Sequence, residues 1–279
     1  NDGEVWLSAP GASDFQGRVY SLLQNQTSGD WIEAKKLAGQ DLISGDQFGG
    51  AIAVKGHLGA VGIIGADYQL GTVAIYERTE TDWNETGRVF NDSDGLNAIT
   101  GAEVSCEEGS ASEYTCNEID MLSFLPVEEV GGTRGVQVND VWGWTDPTSN
   151  REYALVGRYD GTSFVDVTDP SNPQYLGNLP MTEGAHGNVW RDIKVYKDHA
   201  FIVADGSGPH GMQIFDLTKL RGLTGEPQTF EEDAHYNRAA SSHNVVINEE
   251  SGFAYLVGVN GGGETCGGGL HMVNIQDPL

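Results

Sequence analysis

Three short segments carry ionisable or amide side chains at one place in a repeat: Asn139-Asp140-Val141, Arg191-Asp192-Ile193 and His243-Asn244-Val245. Each opens an apolar run, so each stands at the start of a strand. Near them lie His186 in Gly-Ala-His-Gly-Asn, His210 in Gly-Pro-His-Gly-Met, and the run Asp233-Ala-His235-Tyr236. Imidazoles and carboxylates gathered on one surface can hold a divalent cation, either calcium or a transition metal. The candidate metal set is His243, Asp192, Asp140, His186 and His235. The same groups can move protons. A base at His243 or His235, Arg191 to neutralise a uronate carboxylate, and Tyr236 nearby would equip a polysaccharide lyase. A plainer role competes with both. Polar residues at strand starts commonly satisfy backbone groups, and Asp140 and Asp192 are expected to do that. His57 and His199 fall in hairpin turns and read as exposed, whereas His271 lies mid-strand and reads as packed. Ser241-Ser242-His243 sets hydroxyls beside an imidazole, but adjacency in sequence is not triad geometry. The glycine triplets on either side of Cys266 lack a following helix, so no nucleotide cofactor is expected.

The elements that must position these residues are short alternating strands. Tyr153–Gly157 leads to Thr162–Asp166, Ala200–Ala204 to Met212–Asp216, and Ala254–Gly258 to Leu270–Asn274. The anchors Asp166, Asp216 and Asn274 are 50 and 58 residues apart, a spacing that suits the blades of a β-propeller. Strands are predicted at 136–144, 153–157, 162–167 and 174–179; at 190–196, 199–204, 211–217 and about 227–230; and at 243–248, 253–259 and 269–275. In a propeller the first strand of each blade lines the channel, so the aligned polar pairs should ring one channel mouth.

The first 90 residues hold a repeat of their own. Val5–Gly11 matches Val61–Asp67, Gly17–Leu22 matches Gly71–Tyr76, and Trp31 matches Trp83. One copy has four strands, near 48–54, 60–66, 71–78 and 82–90; the other lacks the opening strand. Phe48-Gly49 followed by Ile64-Gly-Ala-Asp67, with Ser8-Ala-Pro-Gly11 upstream, resembles the FG-GAP repeat of integrin-type propellers. Blades of that family often carry a calcium loop between their first two strands. Here that connection is Lys55-Gly-His-Leu-Gly59, without a carboxylate, so the resemblance implies the fold and not the calcium.

Composition narrows the partners. There are 41 acidic and 15 basic residues, net −26, spread along the chain, which disfavours nucleic acid and anionic membrane surfaces. No apolar run reaches the roughly 18 residues of a membrane helix. Cys106 and Cys116 bracket a polar loop without metal-site spacing and read as a local disulfide, which implies an oxidising compartment. The sequence reads as a piece of a longer secreted protein. Residues 91–133 break the rhythm and form a disulfide-bearing connection between an FG-GAP-like region at 1–90 and three later blades at 134–279, the last partial, in what reads as one propeller. Within the connection, 91–95 holds a partial Asp-x-Asp-Gly signature that reads as a polar turn, and 119–125 reads as a connecting strand, with a short helix as the alternative.

The later region also resembles a known family. Asn139-Asp-Val-Trp-Gly-Trp-Thr-Asp-Pro147, Arg151–Gly157, Thr162–Pro170, Trp190–His199, His210–Asp216, Asp233–Tyr236, Ser242–Asn244 and Cys266–Val273 occur in order. Together they are similar to the choice-of-anchor B family of secreted bacterial proteins with LVIVD-type repeats. That resemblance implies a cell-surface location, further blades beyond Leu279, a Cys106–Cys116 disulfide and a partner for Cys266 outside this sequence. The fold expected is therefore all-β, a β-propeller of four-stranded blades that is incomplete here. Three function classes follow: a surface binding or adhesion module for a polysaccharide or protein, with a metal at the channel mouth; a polysaccharide lyase or metal-dependent hydrolase at the same mouth; or a purely structural module.

Overall fold

The computed structural model describes residues 4–37, 39–80, 82–90, 96–260 and 268–279. The chain is all-β and divides into two compact units, Asn1–Gly95 and Leu96–Leu279. The partial calcium signature at 91–95 and Cys266 lie outside the described residues.

The first unit contains two up-and-down antiparallel sheets. One joins β1 (Glu4–Ala9), β2 (Arg18–Gln24) and β3 (Trp31–Leu37). The other joins β4 (Phe48–Lys55), β5 (Leu58–Ile63), β6 (Thr72–Arg78) and β7 (Trp83–Phe90). Alternation directs Trp6 and Val19 from the first sheet, and Val61, Ile63, Ala74 and Tyr76 from the second, into a shared core around Phe48. Trp6 meets Trp83 edge to face, 4.9 Å between ring centres. Glu4 closes this core. Burial raises its carboxyl, but hydrogen bonds from Ser21 and Trp83 Nε1 (2.8 Å) and the Arg78 guanidinium at 3.0 Å outweigh that and hold it below the usual range. The Phe-Gly signature has a steric reason on its partner strand. Gly17 has φ +89° and bridges Phe48, and any Cβ at Gly17 would collide with the Phe48 backbone.

In the second unit a small hairpin of β8 (Ser110–Ala111) and β9 (Tyr114–Thr115) lies between the paired Cys106 and Cys116. Three larger sheets follow. The first is β10 (Val138–Thr145), β11 (Glu152–Arg158), β12 (Gly161–Asp166) and β13 (Gln174–Pro180). The second takes β14 (Arg191–Tyr196), β15 (His199–Ala204) and β16 (Met212–Asp216). Its fourth strand corrects the sequence reading. The predicted strand at 227–230 forms only β17 (Gln228–Thr229), which pairs in parallel with β13 of the preceding sheet; β18 (Ala234–Tyr236) closes the second sheet against β16. The third sheet is β19 (Asn244–Asn248), β20 (Phe253–Val257) and β21 (His271–Asn274).

These sheets are propeller blades: each is a meander, and their opening strands β10, β14 and β19 are neighbours in turn. Leu155 and Phe164 of the first pack on Ile193, Ile202 and Phe215 of the second. Phe201, Val203 and Met212 on the other face of the second pack on Val245, Ala254 and Leu256 of the third. The repeat anchors explain themselves as turn makers. Asp166 accepts from the Thr168 amide (3.0 Å), Asp216 from Thr218 (2.9 Å) and Asn274 from Gln276 (3.0 Å).

The run 119–125 is not a strand; it makes only isolated bridges, Val104 with Met121 and Ile99 with Phe124. A 3₁₀ turn, Val127–Val130, follows Pro126. The Val130 carbonyl is fixed on the first blade by Arg158 Nη1 (2.8 Å) and Ser163 Oγ (2.6 Å). No described helix is long and apolar enough to cross a membrane.

Candidate functional site

The two aspartates of the aligned pairs are strand-to-strand staples. Asp140 Oδ2 accepts the Ile193 amide at 2.8 Å, and Asp192 Oδ2 accepts the Val245 amide at 2.7 Å; each link spans 53 residues. The first and second blades thus each offer a carboxylate to the residue following the aligned position in the next blade, whereas the third carries Asn244 there. Asp192 also holds Lys194 Nζ at 2.5 Å. Asp192 is buried and Asp140 half-buried, and one oxygen of each carboxylate is taken up by an amide of the next opening strand. Among the described residues, no three His, Cys, Asp or Glu side chains are grouped as a metal needs. The set His243, Asp192, Asp140, His186 and His235 is therefore not brought together.

The residues suggested for uronate chemistry are likewise engaged inside the second unit. Arg191 is only 3% exposed. Its Nε donates to the Arg158 carbonyl at 2.5 Å and its Nη1 to His210 Nε2 at 2.9 Å, and burial pushes its pKa down to about 10. Because arginine only donates, His210 Nε2 is the acceptor and Nδ1 carries the proton, directed at the Gly211 carbonyl 3.2 Å away. Burial, reinforced by the Arg191 charge, lowers the His210 pKa to about 3, so this imidazole is neutral. His235 Nε2 binds the His210 carbonyl at 2.8 Å, and the Tyr236 hydroxyl lies 3.0 Å from Nδ1 of the buried His271. His271 is packed, as expected, although it opens β21 rather than lying within it. His199 differs from expectation: it opens β15 half-buried, and its ring nitrogens are closed off from solvent without a hydrogen-bond partner. His57 is exposed in its turn.

One predicted residue does reach open surface in company. His243 Nδ1 lies 2.8 Å from Asp205 Oδ2, and the histidine side chain is 56% exposed. The pair is assembled by strand ends. The Asp205 amide donates to the Trp190 carbonyl at 2.9 Å, one rung beyond the β14–β15 pair Arg191–Ala204. Trp190 and Asp205 therefore stand opposite each other on the face that carries Asp192 and Val203, which is turned to the third blade. There Asp205 meets His243, and Trp190 remains 54% exposed. The loop Gly206-Ser207-Gly208 follows Asp205 and lies against Asn188 and His186. His186 is exposed and rests on Gly208, where φ is +66° and an added Cβ would come within 2.8 Å of the imidazole. Asn188 covers Gly206, and Ser207 is pinned by Ser241 Oγ at 2.9 Å. With Asp205 Oδ2 as acceptor, Nδ1 carries the proton and the ring is held in one orientation, which leaves Nε2 to meet a ligand.

No family model matches the sequence, and no curated protein sequence matches it. Solved structures similar to the chain include Sqt1 of Saccharomyces cerevisiae, at 10% identity over 94% of this chain and 66% of that one, TM-score 0.41. Structures assigned as 6-phosphogluconolactonases are similar too. That of Bacteroides uniformis has 11% identity over 97% of this chain and 81% of that one, TM-score 0.35. That of Bacteroides fragilis has 9% identity over 91% and 74%, TM-score 0.35. The chain spans just under two thirds of the length of Sqt1. At these scores the neighbours lend the site no residue and no activity.

His243 and His186 stand out in the sequence, whereas Asp205, which meets His243, and Trp190, opposite Asp205, do not. Their signal was slight. Both sit one residue outside a strand, Trp190 before Arg191 and Asp205 after Ala204, and only the β14–β15 register makes them partners.

Proposed function

We propose that this chain is a binding module of the cell exterior whose ligand face is the loop end of the second unit at Trp190, Asp205 and His243. The observation that carries this reading is the His243–Asp205 contact of 2.8 Å on an exposed imidazole. A carboxylate that fixes an exposed ring, beside an exposed indole, is a recognition surface rather than a packing device. The Cys106–Cys116 bond supports an extracytoplasmic setting, in keeping with the resemblance to secreted choice-of-anchor B proteins.

The same pair also favours one second reading. An Asp-oriented imidazole is a general base, and a lyase or hydrolase would use it so. The engaged positions of Arg191, His235 and Tyr236 speak against the uronate-specific form of that chemistry.

Retention of the labelled protein on immobilised polysaccharides and extracellular proteins tests the proposal. Retention lost in Asp205→Ala and His243→Ala, and kept in His57→Ala, is the expected result. Retention unchanged by the first two variants overturns the site. Consumption of a retained polysaccharide, abolished by His243→Ala, replaces binding with the enzymatic reading.

A further inference from the structure

The chemistry around this loop face limits what it can hold. Its contributors are an indole (Trp190), two imidazoles (His186 and His243), an amide (Asn188) and a carboxylate (Asp205). Among the described residues, no hydrogen bond or ion pair joins a Lys or Arg side chain to any of the five. Arg191, adjacent in sequence to Trp190, is turned into the core and held there by the Arg158 carbonyl and His210. An anionic ligand would meet the Asp205 carboxylate here, on a chain whose net charge is −26. What the surface does supply is a flat apolar platform beside fixed polar groups. Asp205 Oδ2 holds His243 Nδ1, and Asn188 Oδ1 receives the Trp190 amide at 3.1 Å, which leaves the Asn188 amino group as a donor.

Resting on the binding reading above, we infer that the ligand is a neutral polysaccharide: a hexose ring stacked on Trp190, with its hydroxyls donating to His243 Nε2 and accepting from Asn188 Nδ2. Sugar rings present an apolar C–H face and a polar rim, and an indole beside directed polar groups matches both. Glycine at 206 and 208 lets these side chains lie close, since a Cβ at either would meet Asn188 or His186.

Affinity electrophoresis in gels containing a soluble β-glucan, dextran, galactomannan, alginate or polygalacturonate tests this. The expected result is slowed migration in at least one neutral gel, with affinity reduced roughly tenfold or more by Trp190→Ala and little changed by added salt. Alginate and polygalacturonate should not slow the protein. His57→Ala should migrate as wild type, and circular dichroism of Trp190→Ala checks that its blades remain folded. Retardation by a polyuronate alone, lost in His243→Ala, overturns the neutral class and leaves the binding site standing. Retardation that survives both Trp190→Ala and His243→Ala overturns the site as well. No retardation in any gel overturns the polysaccharide class, and the protein ligands retained in the earlier assay then decide the site.

Discussion

His210 is the residue whose chemistry depends most on the fold. An unfolded chain would protonate it near pH 6.5, whereas burial and then the Arg191 charge lower its folded pKa to about 3. Between those values the unfolded state binds the extra proton, so stability falls as pH drops below about 6.5, by up to roughly 1.4 kcal/mol per pH unit, and the loss from this group ends near its folded value. Urea unfolding between pH 7 and 4.5 should show that slope, and His210→Gln should flatten it. The variant is expected to be less stable at pH 7, because Arg191 Nη1 loses its ring acceptor. An equal slope in wild type and variant would place the acid sensitivity elsewhere. Asp146 belongs to a lower range. Hydrogen bonds from Arg221 hold its carboxyl far below the usual value despite burial, so its contribution is lost only in strong acid.

At the scale of elements, the blades are tied by a device that repeats. Asp140 caps Ile193 and Asp192 caps Val245, in each case a main-chain amide on the opening strand of the following blade. Removing Asp192 strands a buried N–H, which costs about 1–3 kcal/mol. We expect Asp192→Ala to lower the urea midpoint by that amount and Asp192→Asn, which keeps an acceptor, by less; equal losses would mean that the charge and Lys194 matter more than the staple. Much of this level was legible in the sequence. Apolar runs located β10 to β16 and β19 to β21: β12 and β15 are buried on both faces between blades, while β20 alternates buried with partly exposed positions. They failed at Gln228–Thr229, where the Thr-Phe run imitates a strand, because β18 is only three residues long and carries no alternation to read. The aligned pairs identified positions correctly and suggested too much chemistry. A carboxylate at a strand start looks the same in sequence whether it binds a cation or a neighbour's amide. The true neighbours of His243 were set by how β14 and β15 end, a register that spacing does not reveal.

Across the molecule, charge and surface agree. A chain of net −26 keeps many of its cations in structural ion pairs: Arg221 with Asp146, Lys219 with Asp233, Arg88 with Glu85. It exposes an indole and an oriented imidazole together at one loop face of the second unit. On the binding reading, this face receives the ligand. Hydrogen–deuterium exchange with and without a polysaccharide or protein retained by the wild type tests it most directly. Slowed exchange at 186–190, 205–208 and 241–243, with the first unit and the disulfide hairpin unchanged, is the predicted result. Protection confined to the first unit or to the segment around Cys106–Cys116, with those three loops unaffected, would contradict it.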